Sequence, residues 1–235
     1  MKKLILLCTL LATGGILFAQ QTINDPNAQI REAKNFHAID VSNAFDVYLT
    51  QGTEEGVAVS AAKLTDRDDI TVEVKEGTLY ISMHKGWKFS SGNRKLKAYV
   101  SFKQIDKLHV SGACDVYVSG VLKAPELEIR LSGASDLKGK LEIADLRADL
   151  SGASDMVVSG TATKLSVEAS GASDFKGFDL ATEVCDAHAS GASDIKITVS
   201  KELSVQASGA SDVKYKGDGV IRDIRSSGSS SVSRA

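Results

Sequence analysis

Six aspartates, Asp115, Asp136, Asp155, Asp174, Asp194 and Asp212, recur about every 19 residues as the last member of a pentapeptide, Ser-Gly-Ala-Ser-Asp, whose first copy reads Ser-Gly-Ala-Cys-Asp. Carboxylates repeated in a glycine-rich turn are the donors a hard cation such as calcium takes, several at a time. Each turn here offers one carboxylate rather than a set. Two residues on, and so on the same side of an extended chain, stand Lys138, Lys176, Lys196 and Lys214. Like charges one coil apart repel by about 1 kcal/mol in water, and these cations offset much of that. Asp and Ser also hydrogen-bond turn amides. The aspartates are therefore read as a structural corner ladder, with no metal and no cofactor.

Other residues could in principle do chemistry. Asp149 with Glu168, or Asp186 with Glu168, would be neighbours on an outward face, as the two carboxyls of a glycosidase must be. They stand among Arg130, Arg147 and His188, which reads as a solvated face of cross-strand charge pairs. His109 and His188 share a row but lie four repeats apart, too far to hold one metal. Cys114 replaces a motif serine and Cys185 a core leucine. At ~4.8 Å per coil they exceed the ~7 Å Cα limit of a disulfide, so both are read as small buried hydrophobes. Residues 85–93 form a Gly-flanked excursion carrying Trp87, Lys88 and Phe89. This loop is a possible ligand contact, or else it packs on the end of the fold.

The elements that must position these residues follow from the repeat. The motif begins at Ser111, Ser132, Ser151, Ser170, Ser190 and Ser208 and fades at Ser227, with spacings of 21, 19, 19, 20, 18 and 19 residues. A near-constant period this short marks a solenoid, whose repeats bury their apolar faces only by stacking. Before each motif apolar and polar residues alternate, as in Leu165-Ser166-Val167-Glu168-Ala169, the period of a half-buried strand. After it the apolar column resumes at Val116, Leu137, Met156, Phe175, Ile195 and Val213. Strand, small-residue corner, strand and loop, stacked like on like, predict an all-β parallel β-helix with about 19 residues per coil. Residues 111–232 are its regular coils. Residues 31–110 are degenerate coils or a cap: V-S-N-A-F-D-V-Y-L-T at 41–50 mirrors V-S-G-A-C-D-V-Y-V-S at 110–119. At the other end the motif decays among Arg222, Arg225 and Arg234, which predicts a polar, charged cap over the last open edge.

Composition bounds the function. The 235-residue chain has two prolines, 20 glycines, 6% aromatics and a net charge of −2, with neither a basic stripe for nucleic acid nor an acidic tail. Lys2 and Lys3, an apolar run too short to span a bilayer, and Ala19 before Gln20 read as a signal peptide over 1–19. Cys8 sits too early, after residues too large, for a lipoprotein signal. A loose leader covers 20–30, and a single β-helix domain covers 31–235, with no transmembrane segment in the exported chain.

The pattern R-x-x-x-x-F-x-x-I-D-V-S-N-A-F-D-V-Y-L from Arg31, followed by serial S-G-A-S-D coils, resembles the bacterial family called the putative auto-transporter adhesin head GIN domain, common in the Bacteroidetes. The resemblance covers residues 31–232. It implies a right-handed parallel β-helix in the cell envelope or outside it, and carries no catalytic residues. The resulting expectation is an exported, non-catalytic binding or structural module of the periplasm, cell surface or exterior, its partner a glycan, a surface polymer or a protein. A polysaccharide-cleaving enzyme on a β-helix is the alternative, and a purely architectural envelope protein the third.

Overall fold

The computed structural model describes residues 16–18, 21–84 and 95–235. Strands β1 (Ile16–Phe18) and β2 (Gln21–Ile23) form a separate antiparallel pair. Then come β3 (Gln29–Arg31), β4 (Ala38–Val41), β5 (Phe45–Gln51) and β6 (Gly56–Ser60), a five-residue helix α1 (Leu64–Asp68), and β7 (Ile70–Lys75), β8 (Thr78–Met83), β9 (Leu96–Phe102) and β10 (Lys107–Val110). Five long strands follow: β11 (Asp115–Leu131), β12 (Asp136–Leu150), β13 (Asp155–Ala169), β14 (Asp174–Ala189) and β15 (Asp194–Ala207). The chain closes with β16 (Asp212–Lys216), β17 (Val220–Ser226) and β18 (Ser231–Arg234).

The long strands pair in parallel, each with the next, in the register the repeat predicts: Asp115, Asp136, Asp155, Asp174, Asp194 and Asp212 stand in one column. The molecule is a β-solenoid. Alternation decides what is inside. In β12 the side chains of Leu137, Leu141, Ile143, Leu146, Ala148 and Leu150 are buried, and their equivalents above and below form continuous core columns. Cys185 takes its place in one of them, between Leu165 and Leu203. Cys114 and Cys185 are both free and buried, and burial pushes the Cys114 thiol up to about 11.

The corners are tied as tightly as the strands. Ser151 N–H donates to Leu131 O at 2.9 Å, Ala153 N–H to Gly133 O at 2.7 Å and Asp155 N–H to Ser135 O at 3.2 Å. The close approach excludes a side chain at Gly152. Its φ is +78°, and a Cβ there would lie 2.4 Å from Gly133 O. The second serine of each motif turns inward and is fully buried at Ser135, Ser154, Ser173, Ser193 and Ser211. A buried hydroxyl needs partners. Ser154 Oγ donates to Ser151 O at 3.0 Å and accepts from Ser135 N–H at 3.4 Å. Cys114 occupies the same column, its Sγ accepting from Phe45 N–H at 3.4 Å.

The N-terminal third contains both coils and cap. β4 and β5 form a coil in register with β10 and β11. The next coil outward is built from β8 and β9, which come later in the chain. After β5 the chain runs outward, lays down the outermost parallel coil, and returns at β10 to the inner side of the coil it began with. Antiparallel strands cover this end: β7 on β8, β6 on β9 and β3 on β6. At the other end β17 and β18 pair in parallel with β15 and β16. The arginines expected to form a charged cap there, Arg222, Arg225 and Arg234, are exposed. Arg222 and Arg234 fold back onto Glu202 and Asp218, at 2.6 and 2.7 Å, and the exposed side chains of β17 include Val220, Ile221 and Ile224.

Candidate functional site

Parallel stacking turns residues about 19 apart into outward rows. On the face carrying the second half of each long strand, one row runs Asp40, His109, Arg130, Asp149, Glu168, His188, Gln206 and Arg225. Beside it the first serines of the motifs, from Ser111 to Ser227, stand one per coil where the strand enters the corner. Between the two rows lie two concavities. One is lined by Asp40, His109, Arg130, Asp149 and Ser111 to Ser170; the other by His188, Gln206, Arg225 and Ser190 to Ser227. They meet at Glu168, which lines both. The result is a shallow groove along the solenoid axis, its polar rows flanking a floor that includes Val110, Leu131, Leu150, Ala189 and Ala207.

Its walls are held by the fold. Ser132, Ser151 and Ser170 each donate their hydroxyl to a carbonyl of the preceding coil, at 3.3–3.4 Å. Arg130 Nε bonds Glu128 Oε1 at 2.6 Å and reaches Asp149 Oδ2 at 3.3 Å. His109 Nε2 is buried without a hydrogen bond, the nearest carboxylate being Glu128 Oε1 at 3.5 Å. Burial pushes the Asp40 carboxyl up, and the neighbouring His109 offsets part of that. Glu168 is exposed at the midpoint of the groove. Such a surface offers hydroxyls, a guanidinium and carboxylates at one coil spacing, about 4.8 Å.

The acid pairs separate. Asp149 and Glu168 are opposite one another on adjacent coils. Asp186 is not opposite Glu168: its partners across the ladder are Ser166 and Ser204, and its Oδ1 is 3.1 Å from His188 Nε2. Aligned on the motif, the repeat likewise sets Asp186 level with Ser166 and Glu168 level with His188, as the ladder has them. Asp149 is already engaged by Arg130.

On the other face the aspartate column continues upward to Asp46 and Lys97 and downward to Ser231, which donates to Asp212 Oδ1 at 2.5 Å. Lys176 bridges Asp155 and Asp174 at 2.7 and 3.1 Å, and the bond to Asp155 foremost raises its pKa. Among the described residues no three His, Cys, Asp or Glu side chains converge as a metal-ligand group. Next to this column the sequence reading missed a stack of tyrosines: Tyr48 lies between Tyr99 and Tyr117, with ring centroids 5.2 and 5.5 Å apart. The signal was present in the mirrored segments at Tyr48 and Tyr117, and again at Ala98-Tyr99-Val100-Ser101, which repeats the Tyr-Val-Ser of Tyr117–Ser119. Trp87, Lys88 and Phe89 lie outside the described residues.

Comparison with known proteins agrees with this architecture. The solenoid is similar to a putative adhesin from Bacteroides fragilis, at 22% identity and a TM-score of 0.82 over 88% of this chain and 96% of that one. A putative adhesin from Parabacteroides merdae is similar at 18% identity and a TM-score of 0.68, over 88% and 95%. A putative lipid binding protein from Parabacteroides distasonis matches at 21% and 0.64, over 90% and 98%. At these identities the likeness is one of fold. No curated protein matches the chain in sequence. Residues 35–219 match the family described as putative auto-transporter adhesin, head GIN domain, and with that span, most of the solenoid, the chain belongs to this family.

Proposed function

We propose that this protein is an exported, non-catalytic binding module that holds an extended polysaccharide along its axial groove. The observation that carries the reading is the continuity of that groove, with one serine and one charged or polar side chain contributed by each coil. A linear polymer laid parallel to the axis meets a repeated set of donors and acceptors, and many weak hydrogen bonds add where a compact ligand would find few. The adhesin-like family supports surface binding over catalysis. The Lys2–Ala19 pattern supports export to the envelope or beyond. The aspartate column and its lysines act as structural corner chemistry in this scheme.

A glycan array with the purified protein, run beside a reducing-sugar release assay, tests the reading. Binding without release is expected, lost in Arg130→Glu and weakened in Glu168→Ala. Release of reducing ends would replace the reading with the enzymatic one, led by Asp149 and Glu168. Silence in both assays would replace it with an architectural role.

A further inference from the structure

The last coil leaves an edge that matches itself. β17 pairs with β15 on one side, and among the described residues no strand pairs with its other edge. Ile221 and Ile224 stand opposite Leu203 and Val205 and so extend two core columns. With nothing stacked on them they are 45% and 39% exposed, and neighbouring Val220 is 61% exposed. The charges on this edge, which on many edge strands repel a second chain, are of both signs and paired within the molecule. Arg222 Nη2 donates to Glu202 Oε1 at 2.6 Å, and Arg225 Nε to Asp223 Oδ2 at 2.9 Å.

We propose that β17 is the interface of a two-fold dimer, in which it pairs antiparallel with β17 of a second copy of this chain. Isologous contact requires a self-complementary strand, and the order Val-Ile-Arg-Asp-Ile-Arg from Val220 to Arg225 provides one. With the axis between Arg222 and Asp223, Ile221 faces the partner's Ile224 and Arg222 faces the partner's Asp223. Both isoleucines point inward, so the two cores join. Arg222 is the extra residue where the register shifts between Leu203 and Ser204. Its side chain reaches outward to Glu202, the side on which Asp223, opposite Ser204, also lies. The charged pairs therefore meet on one side of the joint sheet and the apolar pairs on the other.

Neighbouring registers fail. An axis through Arg222 or through Asp223 sets like charges face to face, which destabilises cross-strand pairs. An axis through Ile224 leaves Ile221 without an apolar partner. The opposite end of the solenoid is covered by antiparallel strands, so association closes at two copies.

Sedimentation velocity of the purified protein over a concentration series tests this, with circular dichroism melts confirming that each variant folds. A concentration-dependent dimer, and no larger species, is expected. Asp223→Arg should raise the dimer dissociation constant about tenfold or more. The double exchange Arg222→Asp with Asp223→Arg, which restores opposite charges across the axis, should bring it back. Ile224→Asp should leave monomers only. A wild-type protein that stays monomeric throughout, assembly that grows past two, or a charge reversal that changes nothing would each overturn the proposal.

Discussion

At Gly152 and at Asn43 the backbone takes the same left-handed turn, with φ of 78° and 87°, yet one corner has no side chain and the other carries an amide. Gly152 lies within the stack, its Cβ direction blocked by Gly133 O. Among the described residues Asn43 is the first in the column of corners: Gly112 packs against its carbonyl as each later glycine packs against the one before. In the coil outside it, the strand that reaches this corner is β8, and Asn43 Oδ1 accepts the N–H of Met83 at 2.9 Å. A corner whose Cβ direction meets the carbonyl of the preceding corner must be glycine. At Asn43 the side chain instead bonds the end of β8. The same contrast separates the regular coils, where every contact is copied about 19 residues on, from the N-terminal coils, where contacts are particular.

Exchanging the corner residues strikes this contrast directly. Gly152→Asn should cost about 3–5 kcal/mol, since backbone strain and overpacking act together. Asn43→Gly, which loses one acceptor, should cost about 1 kcal/mol. Chemical denaturation measures both, and equal costs would break the distinction between inner and outer corners. Next in size is the core column. Leu165, 3% exposed between Leu146 and Cys185, should cost about 2–5 kcal/mol as alanine, whereas Glu168→Ala, one rung outward, should stay under about 0.5 kcal/mol.

The serine column gives a smaller effect. Ser154→Ala removes the partner of the buried Ser135 N–H and of the part-buried Ser151 carbonyl, a loss of about 1–3 kcal/mol. Cys114→Ala should lose less through hydrogen bonding, because a thiol is a weaker donor and acceptor than a hydroxyl in its contacts at 3.4 and 3.5 Å. A ratio near one would show that the column acts by size alone.

Tyr99→Phe probes the N-terminal coil. The Tyr99 hydroxyl donates to Asp25 Oδ2 at 2.9 Å. Burial pushes the Asp25 carboxyl up, but this bond, with those from Asn27 N–H and Ser60 and the charge of Lys97, holds it below its ordinary value of 3.8. Losing the hydroxyl should cost about 1–2 kcal/mol at neutral pH. A carboxyl lowered by folding stabilises above its unfolded pKa, and that contribution disappears as pH falls through the folded value. The difference between wild type and Tyr99→Phe should therefore shrink below about pH 4. A constant difference down to about pH 2 would place the stabilisation in the ring stack instead. Smallest of all is the effect of calcium: melts in chelator and in millimolar calcium should coincide, and a rise of many degrees would reinstate the aspartates as ligands.

The repeat made the regular coils legible down to register. A residue copied every 19 positions meets its own copy, so Asp115 through Asp212 and Leu165 with Cys185 and Leu203 could be aligned from the chain alone. Where copies fade, that logic fails. At the last edge the arginines were legible but not their partners: Arg222 and Arg234 pair with Glu202 and Asp218, and Val220, Ile221 and Ile224 are exposed beside them. The groove was half visible. Its charged row was evident from the alternation, while the serine row opposite was read only as corner chemistry.

What the sequence determined by itself is the solenoid: its period, its inward columns, and the glycine and serine of each corner, since each coil must present the next with the shape it received. Tertiary structure alone decided that β8 and β9, later in the chain, stack outside β4 and β5. It also decided that Tyr48 comes between Tyr99 and Tyr117 in one stack. Those contacts join residues with no common spacing. They depend on which coil the backbone hydrogen bonds bring alongside, and no local pattern encodes that choice.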